Sequence, residues 1–114
     1  MIGKHGFMPS PRGGFESHHG MMSKWMEAHY PNYNPDEAPA ILMPTANHNA
    51  TRGYFNKWRM QMKATMGGVF DWAKVSEAEM RQLANDMMDV AQVSPQIKND
   101  YWKEFENYLR QLRR

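Results

Sequence analysis

Three histidines in this chain have the residue type and the spacing for hydrolytic chemistry. Phe15-Glu16-Ser17-His18-His19-Gly20 sets two imidazoles side by side, and Thr45-Ala46-Asn47-His48-Asn49-Ala50-Thr51 supplies a third further on. Two adjacent imidazoles can divide labour: one binds a divalent cation through a ring nitrogen, and its neighbour takes a proton from water. Hydrolysis of a phosphodiester needs that activated water, relief of charge on the phosphate, and help for the leaving oxygen. A neutral imidazole with a pKa near about 6.5 does the first job at neutral pH, and one metal ion does the other two. On an extended strand His18 and His19 point to opposite faces, which suits two different roles. Glu16 shares the face of His18 and is placed to orient an imidazole or hold a water.

The segment from His48 onward reads as a long helix. With His48 at 0°, Arg52 falls at about 40°, Asn56 at about 80°, Arg59 at about 20° and Lys63 at about 60°. One stripe therefore carries the candidate ligand and three cations, an arrangement suited to a phosphate backbone. Lys57 lies behind it. A basic stripe of this kind also occurs as a plain solvated face.

These groups need elements to hold them. The Gly- and Pro-rich opening, including Gly3, Gly6, Pro9, Pro11, Gly13 and Gly14, predicts irregular backbone. A short helix is expected from Met21 to about Tyr30, then a loop at Pro31-Asn32-Tyr33-Asn34-Pro35. Pro39-Ala40-Ile41-Leu42-Met43-Pro44 predicts a brief buried strand. In the long helix Thr51, Tyr54, Phe55, Trp58, Met62 and Thr65 share one apolar arc, and Gly67-Gly68 ends it. Ser76 with Glu79 forms a capping box for a helix that buries Met80, Leu83, Ala84, Met87 and Ala91. Ser94-Pro95 starts a last helix with Ile97, Tyr101, Phe105, Tyr108 and Leu112 on one face. The expected fold is α+β and mainly α: a short β element plus helix around the histidines, with two further C-terminal helices. One domain over 1–114 is expected, with a motif core at about 12–66 and a helical part at about 76–113.

Composition narrows the chemistry. The 114 residues are 41% hydrophobic and include no cysteine, so disulfides and thiolate metal sites are excluded. A metal would be held by nitrogen and oxygen ligands, favouring Mg, Mn, Ni or Zn. The net charge of +2 permits a nucleic-acid partner without requiring one. No run is long enough to span a membrane. The twelve methionines follow helix periodicity and read as core filler, while Trp25, Trp58, Trp72 and Trp102 read as core anchors and His5 and His29 as surface residues.

The order Glu16-x-His18-His19, then Ile41-Leu42-Met43 leading into His48 at a helix start, resembles the ββα-metal nucleases of the HNH/endonuclease VII superfamily. More closely, Ser17-His18-His19 with Asn47-His48-x-x-Thr51 resembles the SHH-type toxin domains at the C-terminal tips of bacterial polymorphic toxins such as Rhs proteins. The resemblance implies that His19 is the general base, that His18 and His48 bind one divalent metal ion, and that Glu16 assists. Arg12 is then the upstream arginine that touches phosphate. The implied activity is endonucleolytic cleavage of DNA with low sequence specificity, serving as an antibacterial toxin. A cognate immunity protein is implied, as is secretion within a larger parent chain and action in the cytoplasm of the target bacterium. The start at Met1 without a secretory signal fits such a module.

The sequence departs from nuclease colicins one helical turn after His48, where Arg52 stands in place of a histidine. A guanidinium does not ligate metal. Either the site has two histidines plus waters, or Asn49, Thr51 or Asn56 adds an oxygen; Arg52 is then available to stabilise charge at the phosphate. Two other readings stay open. One is an RNase on the same scaffold, and the other a non-catalytic helical module that binds nucleic acid or protein.

Overall fold

The computed structural model describes residues 2–4 and 15–113, with 4 and 15–17 by backbone alone. In chain order these form β1 (Ile2–Lys4), β2 (Phe15–His18), α1 (Ser23–His29), β3 (Pro39–Pro44), α2 (Thr45–Thr65), a 3-10 turn (Trp72–Lys74), α3 (Glu77–Val90) and α4 (Pro95–Leu112). The architecture is α+β and mainly helical, as the sequence pattern predicts.

β3 is the centre of a three-stranded antiparallel sheet, with β1 on one side and β2 on the other. Its sequence explains the place. Ala40, Ile41 and Met43 are buried, and the two prolines sit at the strand's ends, where a missing N–H does least harm. Register places His18 opposite Ile41 and Phe15 opposite Pro44. Pro44, at φ −56° and ψ 143°, serves as N-cap of α2. The helix therefore leaves the strand with no loop between them, and it starts three residues before His48. That puts His48 in the first turn, with α2 folded back on β2 and β3.

The core lies between the sheet, α1 and the α3–α4 hairpin, around Trp25, Ile41, Met80, Leu83, Tyr101 and Phe105. Both helices of the hairpin are capped by their own residues. Ser76 and Glu79 exchange the two bonds of a capping box, and the Ser94 hydroxyl accepts the Ile97 N–H. Arg81 ties the pair together, 3.0 Å from Glu77 on α3 and 2.6 Å from Glu106 on α4.

Four details differ from the periodicity reading. α1 is trimmed to Ser23–His29: Met22 is extended, at φ −66° and ψ 137°, and serves as its N-cap. Of the four tryptophans only Trp25 is fully buried; Trp58, Trp72 and Trp102 pack at the core's edge. Along α2 only Thr51 is buried, Tyr54 to Met62 are half-buried on the apolar arc, and Thr65 is exposed. Periodicity gives the face of a helix, not how far the helix stands from the core. His29 is no ordinary surface residue: it stacks on Trp25, ring centres 4.2 Å apart, and its Nε2 donates to the Trp72 carbonyl at 3.2 Å. His5 lies outside the described residues.

The Trp25 indole N–H donates to the Val75 carbonyl at 2.8 Å, with both residues buried. That bond fastens α1 to the segment entering α3. Trp25→Phe keeps most of the apolar volume and strands the carbonyl, so stability should fall by about 1–3 kcal/mol. Urea unfolding at neutral pH measures this; an unchanged midpoint would show that the bond holds nothing.

Candidate active site

β2 delivers His18 at its last residue, and the chain then turns at His19 and Gly20. α2 delivers His48 from the other side. The rings of His18 and His48 meet edge to face, with centres 5.2 Å apart and planes at 66°. His18 is only 6% exposed, and its Nε2 is buried with no hydrogen-bond partner among the described residues. Burial above all, with the neighbouring His48 and His19 adding to it, pushes His18 from the ordinary 6.5 down to about 3. His18 is therefore neutral at neutral pH, with ring nitrogen available for coordination.

His19 turns towards β3. Its Nδ1 lies 3.3 Å from the Pro39 carbonyl oxygen. A carbonyl has no proton to give, so Nδ1 must carry one and donate it. In the neutral ring the lone pair then sits on Nε2. A backbone acceptor that fixes the tautomer in this way is what a general base requires.

The donor chemistry fits a divalent cation. An unpaired buried ring nitrogen calls for an ion or a water. Two imidazoles on one tetrahedral cation, each nitrogen about 2.1 Å from it, have ring centres about 5 Å apart, close to the spacing observed. Among the described residues no group of three or more His, Asp or Glu side chains gathers to hold a metal. Thr51 is buried, and its hydroxyl donates to the His48 carbonyl at 2.6 Å. Asn49 and Asn56 are exposed.

The other anticipated residues divide as follows. Glu16 lies on β2 opposite Met43 by its backbone, and its side chain is outside the described set. Arg12 is outside the described residues altogether. Arg52, Arg59 and Lys63 are all exposed on α2. Arg59 is bent over the Phe70 ring, its guanidinium carbon 5.1 Å from the ring centre, which leaves the guanidinium edge for an anion. α2 carries four cations with Lys57 and no carboxylate, and its first turn has neither an acidic residue nor a side-chain cap. Its N-terminus thus keeps its positive character next to the histidines.

A family model for an HNH/Endo VII superfamily toxin with an SHH signature matches residues 12–110. The chain belongs to that family. It is a nuclease-superfamily toxin domain, and Ser17-His18-His19 lies within the matched span. No solved structure matches the chain. Nucleases of this superfamily generally use a divalent metal, and toxin membership implies a nucleic-acid substrate and usually an immunity partner. Among the described residues no helix is long and apolar enough to cross a membrane.

Sequence reasoning missed the parts of the site supplied from a distance. The Pro39 carbonyl has no side-chain signature. The Tyr101 hydroxyl, bonded to Met21 N–H, read simply as part of an apolar face.

The His18 shift has a sign that can be checked. The unfolded ring titrates near 6.5 and the folded one near 3. Between those values the unfolded chain takes up a proton that the folded one refuses, so stability is lost as pH falls. In metal-free protein this group should contribute a slope of at most about 1.4 kcal/mol per pH unit below pH 6.5. His18→Leu should flatten that slope between pH 7 and pH 5, as read from urea unfolding at each pH; an identical slope in the variant would place the His18 titration elsewhere.

Proposed function

We propose that this domain is a metal-dependent endonuclease that cuts DNA with low sequence specificity and acts as an antibacterial toxin. The observation that carries the reading is the buried, neutral His18 with an unpaired Nε2 against the ring of His48, beside a His19 whose tautomer is set by a backbone carbonyl.

His18 and His48 are the residues that hold the cation. When bound, a divalent ion supplies charge relief at the scissile phosphate and stabilises the leaving oxygen. The chain's own residues do the rest. His19 accepts a proton from water at Nε2 while Nδ1 remains bonded to Pro39, so the imidazolium that forms is already oriented. Arg52 lies one turn beyond His48 and balances charge at the phosphate. Arg59 and Lys63 grip the backbone further along the helix. From the family resemblance, Glu16 assists within the site and Arg12 touches phosphate. Mg, Mn, Zn and Ni all suit a donor set of two imidazoles completed by water.

Low specificity follows from what α2 presents. Its exposed face carries Arg52, Lys57, Arg59 and Lys63, which meet phosphates, and phosphate contacts carry no sequence information. A cognate immunity protein protects the producer. Delivery is as part of a larger secreted toxin, and the site of action is the cytoplasm of the target bacterium.

His19→Ala should lower the rate of plasmid cleavage by about 10²-fold or more, the scale of losing a general base. EDTA should abolish cleavage by the wild type. Cleavage that persists in EDTA would defeat the metal mechanism, and degradation of total RNA in preference to plasmid would reassign the substrate.

The double variant Arg59→Ala, Lys63→Ala should weaken DNA binding and flatten its dependence on salt by about two units of logarithmic slope. Binding isotherms at several salt concentrations measure this, and an unchanged slope would remove the stripe from the substrate path.

A further inference from the structure

We infer that the α3–α4 hairpin is a positioning element of the site, holding the His18–His19 turn through Tyr101 and the first turn of α2 through Asn47. The inference rests on reading that site as a nuclease centre.

The first clasp lies directly after His19. The Met21 N–H donates to the Tyr101 hydroxyl at 2.7 Å. Tyr101 is itself 1% exposed, so the phenol is fixed by the core of α4. Its ring lies so close to Gly20 that a Cβ there would come within 2.6 Å of Cζ and 2.9 Å of the hydroxyl oxygen. Gly20 does not sit at positive φ. Glycine is present to admit the ring, not to permit an unusual backbone. The bend directly after the two histidines is thus pinned by a hydrogen bond and by shape, from a residue 80 positions away.

The second clasp lies directly before His48. The Asn47 side-chain amide donates to the Ala91 carbonyl at 3.0 Å. Ala91 is the C-cap of α3, where helical carbonyls lack partners of their own. The bond joins the start of α2 to the end of α3 across 44 positions.

Both clasps therefore return to one body. Arg81 bridges α3 and α4 through Glu77 and Glu106, and lies 5.4 Å from the Trp102 ring centre and 5.3 Å from that of Phe105. The 5.2 Å separation of the His18 and His48 rings is then set by a third party as well as by the sheet. Partners outside the immediate ligand set commonly govern metal affinity or activity by about 10–100-fold.

Tyr101→Phe keeps the ring over Gly20 and removes the acceptor; Asn47→Ala removes the second donor. Leu109→Val serves as the control: Leu109 is buried in α4 and has no side-chain hydrogen bond to lose. Each protein is titrated with Co2+ in the absence of substrate, and kcat and KM are measured on plasmid well below the melting temperature. Tyr101→Phe and Asn47→Ala should each weaken the Co2+ Kd by about tenfold or more and lower kcat while KM stays put, because the cations on α2 are untouched. Leu109→Val should lower the melting temperature and leave Co2+ affinity and kcat as in the wild type. If Tyr101→Phe binds Co2+ and cuts like the wild type, or if Leu109→Val loses as much as it does, the positioning role is overturned while the nuclease reading stands. A wild-type protein that neither binds Co2+ nor cuts overturns both.

Discussion

Burying His18 leaves a ring nitrogen with no hydrogen-bond partner among the described residues, at a cost of about 1–3 kcal/mol for a polar group of this kind. The surrounding structure enforces that burial. Strand register sets the residue opposite Ile41 at the centre of the sheet, and α2 closes over it with a second imidazole. An apolar side chain at position 18 would serve the fold better. A neutral, partly desolvated imidazole is nevertheless what a metal ligand must be, since protonation and coordination compete for the same lone pair. The buried Nε2 of His18 is thus an atom whose chemistry a ligand would satisfy.

The topology makes this juxtaposition possible at small expense. β2 and β3 are antiparallel neighbours separated by a segment that contains α1, and β3 runs into α2 through Pro44. One strand end and one helix start therefore arrive on the same side of the sheet. The same strand, β3, offers the Pro39 carbonyl to His19. His18, His19 and the Pro39 carbonyl beside it all hang on the pairing of two short strands. A slip of one residue in that pairing would turn His18 to the other face and exchange its role with that of His19.

How much of this could be read in the chain follows from where each signal lies. Local chemistry was legible: Ser76 with Glu79, Ser94 with Pro95, Gly67-Gly68 at φ +78° and +97°, and the apolar faces of α3 and α4. The histidine set was legible because its residue types are scarce and its order is shared with a family. Distant and backbone-borne features were not. Any residue supplies a carbonyl, so nothing in the sequence marks Pro39 as the partner of His19. Tyr101 sits where an apolar heptad-like face expects an aromatic, and its hydroxyl shows no preference for Gly20 or Met21 until the fold brings them together. Trp58 and Trp72 share the periodicity of core residues, yet they form a satellite cluster with Phe55 and Phe70, because α2 departs from the core along its length.

On the proposed reading, α2 is the element on which catalysis and binding meet. Its first turn holds His48, and its exposed face carries the cations, so one rigid rod fixes where a bound phosphate chain would lie relative to the histidines. The acidic residues are elsewhere: Glu77, Asp89 and Glu106 on α3 and α4 are engaged by Arg81 and Lys98. α2 itself carries no carboxylate, which suits a helix proposed to meet a polyanion. Its outer half, which leaves the core, has its own anchorage. Tyr54 donates to Asp86 of α3 at 3.0 Å, and the aromatic cluster holds the helix beyond it. These two contacts convert a helix that is only half in the core into a fixed arm. Without them, cations further along the arm would move independently of the histidines, and a phosphate gripped at Arg59 or Lys63 would no longer be held in register with the water at His19.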